Sequence, residues 1–138
     1  MFDLHGNEKL IEWKKFRDHL ETSETPFMDL ANLWSRAPFV GRYLDPNLPS
    51  TWPDPWKLIL DGTFDDLAIS LGMLYTIKLT QRFQDADCKI FMTTGSNNKT
   101  FLSVDNNTIL NWEYRSVCSQ KDLIDVDFKL IWSKINKV

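Results

Sequence analysis

The chain has little of what most catalytic and metal-binding sites are made from. It holds two cysteines and two histidines in 138 residues. Cys88 and Cys118 have no metal-ligand spacing around them and are expected to be reduced, partly buried thiols, pairing only if adjacent strands bring them together. His5 and His19 both fall near the first amphipathic segment, far in sequence from any strand where a catalytic base would be needed. No apolar run approaches the ~18 residues of a membrane helix. The opening MFDLHGNEKL has no basic stretch followed by an apolar one, so no secretory signal is read and the cytoplasm is the expected compartment. There is no internal repeat, no low-complexity segment and no basic excess. The net charge of −3 argues against a general nucleic-acid binder.

Aromatic residues, by contrast, are abundant. Six tryptophans and nine phenylalanines should dominate the packing of one domain spanning residues 1–138. Charge is mildly uneven: residues 1–87 carry 9 Lys and Arg against 14 Asp and Glu, residues 88–138 carry 7 against 5.

The stretch NEKLIEWKKFRDHLE places Leu10, Trp13, Phe16 or Arg17, and Leu20 on one helical face. A second helix is expected from TPFMDLANLW, with Thr25 as N-cap and Pro26 at the first helical position, ended by Pro38 and Gly41. Residues 37–55 hold five of the six prolines and form an extended connection, in which Phe39, Tyr43 and Trp52 are expected to be buried. Asp54 should cap a short helix that begins at Pro55. From Phe64 to about Leu79 the apolar residues cover most of a helix's circumference, which predicts a helix inside the domain. Thr63 and Asp66 have the spacing of a capping box. After Gln84 the pattern turns to strands: CKIFMTT, KTFLSVD and NTILNWEY, separated by GSNN and DNN, then DVDFKLIWSK with Val126, Phe128, Leu130 and Trp132 on one side. The fold class is therefore α+β, with N-terminal helices and a central buried helix packed on a C-terminal antiparallel sheet.

A short tryptophan–proline segment, Trp52-Pro53-Asp54-Pro55, precedes Gly62-Thr63-Phe64-Asp65-Asp66-Leu67-Ala68, a buried helix, and the strands KTFLSVD and TILNWE. From residue 52 to about 113 this order resembles the transglutaminase-like cysteine peptidase fold, in which a Cys opens the central helix, a His begins a strand and an Asp lies on the next. The resemblance implies a transglutaminase-like core and assigns Phe64 to the Cys position, Lys99 roughly to the His position and Asn111 to the Asp position. All three depart from the family's pattern, so it implies lost chemistry. A thiolate at a helix N-terminus is stabilised by the dipole and deprotonated by an imidazole that a carboxylate orients. Phenyl, ammonium and carboxamide supply none of these. The TWPDPWKLI…LGMLYTIKLT stretch is also similar to small proteins of tailed phages of marine bacteria. That similarity implies a virion or host component as partner.

Asp65 and Asp66 are adjacent carboxylates that do not face the same way on a helix, and capping explains them without a metal. Trp52, Trp56, Asp65 and Trp112 form a candidate binding cleft, weighed against the commoner role of such tryptophans as the lid of a core. No cofactor is called for. The expected function is a non-catalytic binding or structural protein whose partner is another protein, with neither membrane nor nucleic acid involved. The alternatives are a cysteine hydrolase using Cys88 or Cys118, and a nucleic-acid-binding module on the slightly basic sheet half.

Overall fold

A computed structural model describes residues 1–95 and 98–133. Four helices come first: α1 (Gly6–Leu20), α2 (Pro26–Trp34), α3 (Pro55–Asp61) and α4 (Asp66–Lys78). Five strands follow: β1 (Cys88–Thr93), β2 (Thr100–Val104), β3 (Thr108–Leu110), β4 (Val117–Ser119) and β5 (Phe128–Ser133). The strands pair antiparallel in the order β4-β3-β2-β1-β5, an open sheet on which the helices pack. No helix of the described residues is long and apolar enough to cross a membrane.

The helical signals act largely as the residues dictate. Pro26 and Pro55 occupy first-turn positions, and Asp54 accepts from the Lys57 N–H at 2.8 Å. α1 buries Lys9, Trp13, Arg17 and Leu20, so Arg17 rather than Phe16 completes its inner stripe, with its guanidinium 4.6 Å from the Trp13 ring centroid. α2 ends at Trp34, before Pro38 and Gly41 are reached.

α4 is the centre of the molecule. Nine of its 13 residues are buried, on every side of the helix, which is the outcome its all-round apolar pattern predicts. It begins at Asp66, two residues later than expected, and its N-cap is Asp65, which accepts from Ala68 N–H at 2.8 Å. The Thr63–Asp66 capping box is therefore not formed. Phe64 is left in extended backbone, bridged in parallel to Phe39 by Phe64 N–H to Pro38 O at 3.0 Å and Val40 N–H to Phe64 O at 2.9 Å. On the flank facing α1 and α2, the indole N–H groups of Trp13 and Trp34 both donate to Thr76 Oγ1, at 3.1 and 3.2 Å. Thr76 Oγ1 in turn donates to Gly72 O at 2.6 Å, so the buried polar atoms satisfy one another.

The sheet departs from its expected form in two ways. The run from Phe128 to Trp132 does not keep one face: Ile90 pairs with Trp132 but Phe91 pairs with Leu130, so Ile131 is an extra residue. That bulge turns Phe128 and Leu130 to the face away from the helices, while Trp132 packs on the helical side. The second departure is that the outer face is covered too. The chain leaves β4 at one edge and returns as β5 at the other, and Leu123 and Phe128 close with Phe91 and Trp112 over Phe101 and Ile109. Every residue of β2 is buried for this reason.

The hairpin between β2 and β3 turns on Asp105 and Asn106, both left-handed at φ 54° and 56°, with Asn107 N–H donating to Val104 O at 3.1 Å. The turn expected over GSNN falls partly on residues 96 and 97, and the end of the last expected strand on residue 134, outside the described residues. Cys88 and Cys118 are free thiols in separate apolar clusters, with β2 and β3 lying between their strands.

Candidate functional site

The head of α4 is tied to the sheet by a polar cluster. Asp66 Oδ2 accepts from Thr100 N–H at 2.6 Å and from Thr100 Oγ1 at 3.0 Å. Asn111, the first residue past β3, is left-handed at φ 65°, a conformation asparagine tolerates well. Its Nδ2 hydrogens are shared among Ser70 Oγ at 2.9 Å, Asp66 O at 3.1 Å, Asp66 Oδ1 at 3.2 Å and Thr100 O at 3.4 Å. Ser70 and Thr100 close the cluster through their hydroxyls at 3.1 Å. These are charge-assisted and partly buried bonds, so they fix where α4 meets β2 and β3.

Beside the cluster lies a cleft of about 300 Å³ between the end of α2 and the 111–116 loop. Its apolar wall includes Ala31, Trp34, Ile69 and Met73, its floor Asp66 and Asn111, and its rim Lys99, Glu113 and Arg115. Phe39 and Tyr114 stand at its mouth, 64% and 76% exposed. The burial expected for Phe39 is not found: its backbone is fixed by the bridge to Phe64, and its ring projects outward as a ridge. A second cleft of about 260 Å³ lies beyond that ridge, lined by Arg42, Leu44, Asp65 and Thr100 and sharing Phe39 and Asp66 with the first. Arg115 is left-handed at φ 56°, which is uncommon for a long side chain and held here in a loop that lines the site.

The residues assigned by resemblance fall on both sides of this boundary. Lys99 and Asn111 meet at the cleft. Phe64 does not line it. Its ring is fully buried, edge-on to Trp34 at 5.2 Å and to Phe2 at 5.6 Å between centroids. Comparison with family models, with curated proteins and with solved structures gives no match.

The structure does not gather Trp52, Trp56, Asp65 and Trp112 into one cleft. Trp52 packs on the core and donates to Asp45 O at 2.8 Å. Trp56 lies edge-on to Trp13, and Trp112 packs on Phe101 on the outer face of the sheet, with Lys99 Nζ 5.9 Å from its ring centroid. Asp65 is occupied by three backbone donors, Ala68, Tyr43 and Leu44, at 2.8, 2.8 and 2.9 Å.

Neither thiol is placed as a nucleophile. Burial pushes Cys88 up to about 11, and burial followed by a hydrogen bond to Glu113 pushes Cys118 up. Neither is hydrogen-bonded to an imidazole, and His19 is bonded to Asp29 at 2.8 Å. Among the described residues, no three His, Cys, Asp or Glu side chains converge as a metal site would need.

What sequence inspection missed is the cleft. Its walls come from residues 31–39 and 111–116, which nothing in the local pattern links. The available signal was the pair of segments APFVGRY and NWEYRS, each carrying an aromatic beside an arginine.

Proposed function

We propose that this chain is a non-catalytic binding protein on a transglutaminase-like scaffold, which holds a segment of another protein in the cleft at the head of α4. One observation carries it. The position assigned to the nucleophile is a sealed phenyl ring, while the cleft beside it stays open between two exposed aromatics. Exposed aromatic side chains around a concave apolar surface are typical of binding anchors. The polar floor supports binding rather than reaction, because Asp66 and Asn111 are committed to each other and to Ser70 and Thr100. A carboxylate held this way is a poor general base, since abstraction of a proton would break the bonds that stabilise it. If the similarity to phage proteins holds, the partner is a virion or host protein.

The test is site-directed photo-crosslinking in extract from the native source. A crosslinking residue at Tyr114 should give a discrete adduct, and one at the remote exposed Ile11 should not. Equal yields from the two sites, or thiol-dependent acyl-transfer or peptidase activity of the purified chain, would defeat the proposal.

A further inference from the structure

Resting on that binding role, we infer that the occupant is an extended acidic segment of the partner chain. It would lie along Phe39 and put an apolar side chain into the cleft. Three features of the site converge on this chemistry.

The first is charge. Arg42, Lys99 and Arg115 surround the two clefts on either side of Phe39, and none forms an ion pair among the described residues. Asp65 and Asp66 lie on the cleft floors and are hydrogen-bonded to uncharged donors: Asp65 accepts three backbone N–H groups, and Asp66 accepts from Thr100 and Asn111. Glu113 is exposed and accepts from Cys118 Sγ at 3.5 Å. Arg42 and Arg115 are exposed, and Lys99 is half-buried beside Trp112, so against the exposed Glu113 the rim is positive above the two floor carboxylates. A cationic rim steers and orients an anionic partner.

The second is backbone. The bridge to Phe64 uses Pro38 O and Val40 N–H, leaving the N–H and C=O of Phe39 without a partner among the described residues. An extended peptide can pair with that open edge, as added strands do elsewhere. The third is shape. A cleft of about 300 Å³ with Ala31, Ile69 and Met73 on its apolar wall has room for one large aliphatic or aromatic side chain. A nucleic acid would gain from the cations and from stacking on Phe39, but not from the peptide edge, and its backbone calls for a longer row of cations.

The experiment uses the full chain and four fluorescent probes read by anisotropy. Three are seven-residue peptides with a central Phe flanked by Leu, alternating with Glu, Gln or Lys. The fourth is a twelve-nucleotide oligo-dT. The Glu peptide should bind, weaken with added salt, and exceed the Gln peptide by roughly tenfold, while the Lys peptide should not bind. The pair Arg42→Gln and Arg115→Asn should lower Glu-peptide affinity by roughly tenfold or more with unchanged urea unfolding, since Asn tolerates the left-handed backbone at 115. Equal binding of the three peptides would overturn the acidic assignment and leave the cleft as a binding site. Binding by none of them would overturn both. Preference for the oligonucleotide over the Glu peptide would overturn the peptide assignment in favour of nucleic acid.

Discussion

Asn111 Nδ2 lies 3.2 Å from Asp66 Oδ1, so a donor from the end of β3 faces a carboxylate at the first turn of α4. The transglutaminase-like pattern would put an aspartate where Asn111 stands, and here that would oppose two carboxylates. Asn111→Asp keeps a side chain that tolerates φ 65°, so it isolates the electrostatic effect from the backbone. It should destabilise the fold by about 3 kcal/mol at neutral pH, because a charged donor-to-acceptor reversal exceeds a simple lost bond. The introduced carboxyl's pKa is raised in the folded state by its neighbour. Its contribution is then fully favourable below its unfolded value of ~3.9 and is lost as pH rises through the folded value. Denaturant unfolding should therefore show the deficit against wild type shrinking towards acid. A deficit independent of pH would mean that the pair is not electrostatically coupled.

Gly72 sits in the interior of α4, where alanine is ordinarily the better helix former by about 1 kcal/mol. A Cβ there would lie 2.2 Å from the Trp34 ring, which is buried, packed edge-on to Phe64 and hydrogen-bonded to Thr76. The ring has little room to give way, and overpacking of this kind costs about 1–3 kcal/mol. Gly72→Ala should thus be destabilising despite its propensity. A stabilised Gly72→Ala in thermal unfolding would show that Trp34 repacks freely.

The thiols set an alkaline limit. Burial raises Cys88 to about 11 and raises Cys118 as well, against ~8.5 when unfolded. Groups raised in the folded state contribute stability that is intact below the unfolded value and lost as pH climbs through the folded one. Stability should therefore begin to fall above pH ~8.5, before the raised tyrosines Tyr43 and Tyr75 add their own loss above ~10. Replacing both cysteines with alanine should flatten the profile between these limits. In the native chain, iodoacetamide should label both slowly at neutral pH, and rapid labelling of either would revive a cysteine hydrolase.

How much of this was legible follows from which contacts are local. The central helix declared itself because apolar residues on all sides have no other environment, and Asp54, Pro55, Asp105 and Asn106 act within a few residues of themselves. The face reversal in β5 did not, since the bulge at Ile131 depends on β1 and leaves the alternation of the sequence intact. Phe39 was misplaced for a related reason. Hydrophobicity argues for burial, but the bridge to Phe64 fixes the backbone first and points the ring out. The cleft required two segments some 80 residues apart to meet, where Tyr114 Oη donates to Ser35 O at 3.3 Å.

Phe64 supplies the last test, because its ring separates a sealed core from an open active site. It is fully buried against Phe2 and Trp34, and large-to-small changes in such places cost about 3–5 kcal/mol. Phe64→Ala should lose that much in denaturant unfolding, and a loss below about 1 kcal/mol, the range of surface changes, would mean the position is open. Phe64→Cys asks the complementary question. The new thiol would precede the N-cap Asp65, outside the first turn of α4, so the helix dipole would not lower its pKa as it does at a helix start. Lys99 lines the neighbouring cleft and Asn111 is bound to Asp66, so neither an imidazole nor a free carboxylate is at hand. The variant should show no hydrolase or acyl-transfer activity, and its thiol should react with iodoacetamide more slowly than an exposed cysteine introduced at Tyr114. Alkylation at the exposed rate, in a chain that remains folded, would place position 64 in the cleft and restore it as a vacant nucleophile site.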